Sequence, residues 1–192
     1  MILFWFMAAT NCMPKVTQYV HDLGDHAQII HIPKFSGHPD KLFNELLEKI
    51  PWKKFKYQVG DKEVLSPRLM QVVKFGDELD LPCLLRLKKR LEKMLTVQFN
   101  YAVLNYYRDG QDYIGYHADR EVSNGQIVAS ISLGATRRFV LKHKHHTNVR
   151  HVFMPENGDL LILNDAAIKH AYKHSVPKMA NVGPRISITF RE

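Results

Sequence analysis

From residue 97 onward the chain breaks into eight short runs, at about 99–107, 112–117, 127–133, 138–142, 150–154, 159–164, 170–175 and 185–191, separated by turn-forming residues. Runs of this length suit half-buried strands. Eight of them suit a double-sheet jelly roll, a barrel-like form with a cavity at one mouth. Ahead of the strands, Leu42, Phe43, Leu46, Leu47 and Ile50 fall on one helical face between Asp40 and Ile50, and Pro51 stops the run. A second helix is expected from Pro82, a suitable first-turn residue, with Leu84, Leu87, Leu91 and Met94 or Leu95 at helical spacing. Its opposite face, with Arg86, Lys88, Lys89, Arg90 and Lys93, reads as solvated. Residues 16–35 suggest short strands with a turn at Asp22-Leu23-Gly24-Asp25. The expected fold is therefore mainly β (α+β): a double-stranded β-helix, or jelly roll, with two N-terminal helices buttressing one sheet.

Within the strand region stands His117-Ala118-Asp119, followed far downstream by His174. Two imidazoles and one carboxylate can hold one face of an octahedral iron(II) and leave three positions open for an organic acid and dioxygen. Strand side chains alternate, so residues 117 and 119 project to one side and the third ligand must come from a neighbouring strand. Eleven histidines make a chance match easy, and the plain alternative is a surface His–Asp hydrogen bond beside an unrelated strand histidine.

Other residues agree with the metal reading. In Gly183–Arg191, Ile186, Ile188 and Phe190 alternate with Arg185, Ser187, Thr189 and Arg191. Two arginines and two hydroxyls on one face look like an anion site. The strand spans roughly 20 Å, so the guanidinium groups would meet on one dicarboxylate only by leaning inward. Arginine suits this because its planar fork matches a carboxylate. Solvated arginines at the two strand ends are the alternative. Asn105 and Tyr107 stand two apart on one face just before the metal tripeptide and strengthen the anion reading.

Taken together, Asn105–Gly110, Ile114–Asp119, Ala129–Arg137, His174–Pro177 and Pro184–Arg191 closely resemble the AlkB family, iron(II)- and 2-oxoglutarate-dependent dioxygenases that remove alkyl lesions from nucleobases. The resemblance implies that His117, Asp119 and His174 hold Fe(II) and serve as the catalytic centre, with 2-oxoglutarate and O2 as co-substrates. It implies that Arg185 pairs with the distal carboxylate of 2-oxoglutarate, supported by Tyr107, while Arg191 and Asn105 act near the metal-bound end and Thr189 lies between the arginines. Glu121 matches an acid kept near the target base. Arg120 stands where several relatives carry a second acid. Pro67–Asp77 resembles the family's lid, which would give Arg68 and Phe75 to the substrate; a tyrosine is commoner where Phe75 stands, and Phe75 as ordinary core is the competing reading.

The implied reaction hydroxylates the carbon of an N-alkyl lesion such as N1-methyladenine or N3-methylcytosine in DNA or RNA, releasing formaldehyde, succinate and CO2. The damaged edge lies inside the base pair, so the nucleotide must be extruded or already single-stranded. Tyr57–Lys62 could form a hairpin tip with Val59 as a small wedge. Lysine and arginine exceed the acids by eight, which favours polyanions without proving a nucleic-acid partner. Arg137, Arg138, Lys142, Lys144 and Arg150 are candidates for phosphate contact. The histidines at 143, 145, 146 and 151 match no standard metal spacing and read as a solvated loop. Two further classes stay open: a 2-oxoglutarate oxygenase that hydroxylates a protein or small molecule, and a noncatalytic nucleic-acid-binding jelly roll.

Length and composition set the remaining expectations. The 192 residues suffice for one good core. Residues 16–192 are read as a single dioxygenase domain, divided into a nucleotide-recognition lid with helices (16–96) and a jelly-roll catalytic core (97–192). Cys12 and Cys83 argue against a disulfide framework. Residues 1–15 are apolar but too short to span a bilayer, and read as an edge strand or as the product of a start assigned too early, with Met7 or Met13 the true one. The protein is expected to be soluble, intracellular and monomeric, away from membranes.

Overall fold

A computed structural model describes residues 17–76 and 80–192, so the apolar segment 1–15 and Cys12 lie outside the described residues. The first strands, β1 (Tyr19–Asp22) and β2 (Gln28–Ile32), pair antiparallel around the expected turn, where Gly24 N–H donates to Asp22 Oδ1 at 3.0 Å. Helix α1 spans Pro39–Lys49 and helix α2 spans Pro82–Leu95, each opened by a proline whose missing N–H would have had no helical partner. Neither has a side-chain cap of its own. Instead Glu45 of α1 accepts from the Cys83 and Leu84 N–H groups of α2, so one helix supplies the anion at the start of the other. Ile50 is extended ahead of Pro51, as a pre-proline residue prefers.

Between the helices lie β3 (Lys56–Val59), β4 (Lys62–Leu65) and β5 (Leu69–Lys74). The first two form the expected hairpin, turning at Gly60 with φ 59°. The segment that resembles a lid is built differently from a free flap. Strand β5 pairs in unbroken register with the first jelly-roll strand, from Leu69 opposite Tyr106 to Lys74 opposite Tyr101.

The eight expected strands all form: β6 (Tyr101–Tyr107), β7 (Ile114–His117), β8 (Ile127–Gly134), β9 (Phe139–His143), β10 (Arg150–Phe153), β11 (Leu160–Asn164), β12 (Tyr172–Val176) and β13 (Arg185–Arg191). They divide into a seven-stranded sheet, ordered β1-β2-β11-β8-β13-β6-β5, and a four-stranded sheet, ordered β10-β9-β12-β7. Four jelly-roll strands lie in each; the larger sheet is widened by β5 at one edge and by β2 and β1 at the other.

The helices cover the outer face of the larger sheet. Leu42, Leu46, Leu84, Leu87 and Leu91 pack with Leu104, Ile131, Ile186, Ile188 and Phe190 in one buried cluster. A second cluster joins Ile29, Val128, Leu141, Leu161 and Leu163 to Ala167 and Ile168 of a π-helical turn, Ala166–His170. Apolar burial of this kind contributes roughly 1.5–3 kcal/mol per large side chain. The alternation of β13 therefore works in both directions: its isoleucines and Phe190 hold the helices, and its polar residues face the space between the sheets. No helix among the described residues is long and apolar enough to cross a membrane.

Candidate metal centre and co-substrate pocket

Strands β7 and β12 pair so that His117 and His174 stand directly opposite each other, followed by a register shift before Val176. Their ring centres are 4.2 Å apart. Asp119 lies just beyond β7, where its N–H donates to the Ile168 carbonyl of the π-helical turn at 3.0 Å. Its Oδ1 sits 3.5 Å from His117 Nε2 and 3.6 Å from His174 Nε2, and the three ligand atoms all lie within 4.8 Å of one another.

The protonation states fit a cation. His117 Nδ1 is 3.0 Å from the Gly115 carbonyl, which places its proton on Nδ1 and leaves Nε2 free to ligate. Burial, then the neighbouring His117 and Arg191, hold His174 well below its usual pKa, so its imidazole is neutral. Arg191 Nη2 donates to Asp119 Oδ2 at 2.8 Å, so the carboxylate turns one oxygen to the arginine and the other to the histidines. Arg191 Nη1 pairs with Glu121 Oε1, which puts Glu121 at the exposed rim.

The same cavity, of about 60 Å³, is lined by Asn105, Tyr107, Arg185, Ser187, Thr189 and Arg191 as well as the three ligand candidates. Arg185 is 2% exposed. Its Nη2 donates to Ser132 Oγ at 2.8 Å, whereas Nε and Nη1 are buried without a partner. Burial also pulls its pKa down. Unanswered charged donors in a dry pocket are costly, and they fit a carboxylate fork. The donor set therefore suits both a ferrous ion and a keto acid with a second carboxylate. Ile114, Val128, Leu163, Ile168 and Val176 supply apolar walls.

Sequence-named residues outside this group fall in other places. Arg68 Nε donates to Asn105 Oδ1 at 2.5 Å, at the co-substrate side of the cavity. Phe75 requires correction. It stacks on Phe190 at 5.9 Å and packs, half-buried, against the helix-covered core, on the opposite face of the larger sheet from the candidate metal ligands. Arg137 requires correction too. At 0% exposure it cannot reach a phosphate, and its Nη atoms donate to the Asp109, Asp112 and Pro177 carbonyls at 2.8–2.9 Å. His143 is likewise buried, its Nε2 2.6 Å from Asp25 Oδ2 and its Nδ1 accepting from the His145 and His146 N–H groups.

Two contributors were missed in the sequence. Ser132 orients Arg185 from the neighbouring strand, a contact that alternation in Ser130-Ile131-Ser132 permits but does not assign. The π-helical turn fixes Asp119; its one local signal is Asn164-Asp165, whose side chains accept from the Ala167 and Ala166 N–H groups.

The sequence pattern of the 2OG-Fe(II) oxygenase superfamily matches residues 28–191. DNA oxidative demethylase ALKBH2 of Bos taurus is 38% identical over 122 residues, covering 58% of this chain and 44% of that protein. Alpha-ketoglutarate-dependent dioxygenase alkB homolog 3 of Mus musculus is 30% identical over 176 residues, covering 79% of this chain and 60% of that protein. The chain thus spans about half the length of these relatives. Among solved structures, that of OsALKBH1 superposes with a TM-score of 0.61 at 17% identity, covering 85% of this chain and 97% of that one. An oxidoreductase of the 2OG-Fe(II) oxygenase family from Burkholderia pseudomallei gives 0.58 at 16% identity, covering 85% and 84%. The sequence pattern places the chain in the 2OG-Fe(II) oxygenase superfamily, within which it is similar to the AlkB-type relatives just described.

Proposed function

We propose that this protein is an iron(II)- and 2-oxoglutarate-dependent dioxygenase that oxidatively demethylates N-alkylated bases in DNA or RNA. The observation that carries the proposal is the meeting, in one cavity, of a His-His-Asp ligand set with a buried arginine whose Nε and Nη1 lack partners. Bound iron(II), with 2-oxoglutarate and dioxygen, supplies the oxidising power that hydroxylates the N-alkyl carbon, after which the base is freed and formaldehyde leaves.

The chain's own residues bind, aim and exclude. His117, Asp119 and His174 hold the metal. Arg185 takes the distal carboxylate of the keto acid, with Tyr107 beside it, and Asn105, Thr189 and Arg191 line the rest of its path. Arg191 also fixes the rotation of Asp119, so one oxygen points to the metal position. The apolar wall of Leu163, Ile168 and Val176 keeps water from the reacting centre. Glu121 stands at the rim, placed to meet a base entering the cavity. Arg68 acts through Asn105.

Residues 16–192 work as one domain in this proposal, and the protein acts as a soluble intracellular monomer. The relatives named as a DNA demethylase and an alkB homolog support the nucleic-acid substrate, as does the excess of eight basic residues. Formaldehyde and succinate release, measured with methylated single- and double-stranded DNA and RNA, tests the proposal. Stimulation of both by a methylated oligonucleotide is expected. Succinate release that no methylated nucleic acid stimulates would transfer the activity to a protein or small-molecule substrate, and no iron-dependent turnover at all would leave a binding module.

A further inference from the structure

Arg137 is the largest fully buried side chain among the described residues, and the reaction outlined above gives it no work. It is 0% exposed, donates to three backbone carbonyls, and leaves Nε unpartnered. Among the described residues no carboxylate pairs with it. Asp112 and Asp109 act on it only through space, and Asp112 is already gripped by Arg108 through Nε and Nη2 at 2.8 Å. Burial accordingly lowers the Arg137 pKa. Taking an arginine this far from water without a counter-charge is costly, and carbonyl dipoles offset only part of that cost.

Its location gives the charge a purpose. The guanidinium carbons of Arg137 and Arg185 each lie 5.4 Å from the Tyr107 ring centre, so the two cations are within about 11 Å of one another. Tyr107, 2% exposed, belongs to the cavity wall, and Arg137 sits behind that wall. Arg185 also lacks a carboxylate partner among the described residues. Two buried positive charges therefore lie against one aromatic ring, neither of them paired with a carboxylate among the described residues. Mutual repulsion disfavours both until an anion arrives.

We propose that Arg137 is a positioning residue that makes the keto-acid pocket select dicarboxylates: its charge, acting past Tyr107, strengthens the hold of Arg185 on the distal carboxylate. The inference rests on the co-substrate reading above and extends it to a residue that never touches the acid. The three carbonyl bonds serve to keep the cation in place; they tie the 109–112 loop to Pro177, close to the cavity. A purely structural staple would need the same bonds, but its loss would not distinguish one keto acid from another.

The test uses that distinction. The full chain is loaded with Mn(II), and binding of 2-oxoglutarate and of 2-oxopentanoate, which has a methyl group where the distal carboxylate stands, is measured calorimetrically. Arg137→Gln is expected to weaken 2-oxoglutarate on the order of tenfold while changing 2-oxopentanoate by less than about twofold. Arg137→Lys keeps the charge and loses part of the staple; it is expected to melt earlier yet retain most of the preference for 2-oxoglutarate. If Arg137→Gln does not fold, the lysine variant decides alone: a preference collapsed towards parity overturns the inference. Equal weakening of both acids in the glutamine variant overturns it as well, as does no change in either. Wild-type protein that binds no 2-oxoglutarate overturns the co-substrate reading itself.

Discussion

Replacing Arg185 by methionine probes the co-substrate pocket directly, because the side chain's present environment fixes both what is lost and what is not. Two of its donors, Nε and Nη1, have no protein partner, and one more bonds only to Ser132. A carboxylate in the cavity would take the free pair. Truncating one partner of a buried, hydrogen-bonded charge pair costs about 2–5 kcal/mol, which raises the dissociation constant for 2-oxoglutarate from about thirtyfold to several thousandfold. The ligand-free protein should not suffer in proportion. Methionine has similar reach, leaves no charge in the dry cavity, and such replacements are often neutral or stabilising. The expected result is a thermal midpoint equal to or above that of the wild type without ligand, and loss of the rise that 2-oxoglutarate with Mn(II) gives the wild type. That rise corresponds to about 2.7 kcal/mol at a hundredfold excess over the dissociation constant. Calorimetric titration supplies the affinity and scanning fluorimetry the midpoints. A variant whose 2-oxoglutarate affinity stays within threefold of wild type would refute the assignment of the distal carboxylate to Arg185.

Asp119→Ala removes the carboxylate that sits beside both histidines and one of the two acids paired with Arg191, so metal binding measured by equilibrium dialysis and iron-dependent succinate formation should both be abolished; retention of either argues for another ligand set. His174 has a folded-state pKa pushed below 6.5, so the unfolded chain binds the extra proton first. Its contribution to stability is complete above pH 6.5 and is lost as pH falls through the depressed value. Urea midpoints of the metal-free protein should drop on acidification below pH 6.5, less steeply in His174→Gln. At Gly110 an added methyl would overlap the Met179 carbonyl, so Gly110→Ala must push the 109–112 and 177–179 segments apart; a stability loss of about 2 kcal/mol or more is expected by chemical denaturation.

The strands and helices were legible because each is one-sided. The period-two alternation of β13 and the helical spacing of Leu84, Leu87 and Leu91 both reflect a single buried face. The metal ligands were legible as a set, since His117-x-Asp119 fixes a side and the opposite strand must supply the rest; their placement confirms the proximity that the pattern requires. Phe75 and Arg137 were misplaced for the same physical reason. One-dimensional patterns say that a residue has a preferred side but not which layer covers that side. Phe75 faces the helices, and Arg137, a residue type usually found in water, is enclosed by loops distant in sequence. The lid-like segment hid its pairing with β6 because an edge strand needs partners only on one side, and Leu69–Lys74 alternates poorly.

Strand β13 occupies the middle of the larger sheet, with β8 on one side and β6 on the other, although both precede it by many residues. Until it inserts, those two strands face an open slot and neither arginine of the cavity wall is in position. Every contact that completes the slot is distant in sequence, which makes its closure a slow step of folding. A chain without that insertion lacks Arg185 and Arg191 in the cavity wall, and with them the Arg191–Asp119 bond. The topology thus completes the cavity's charged lining only in the finished molecule.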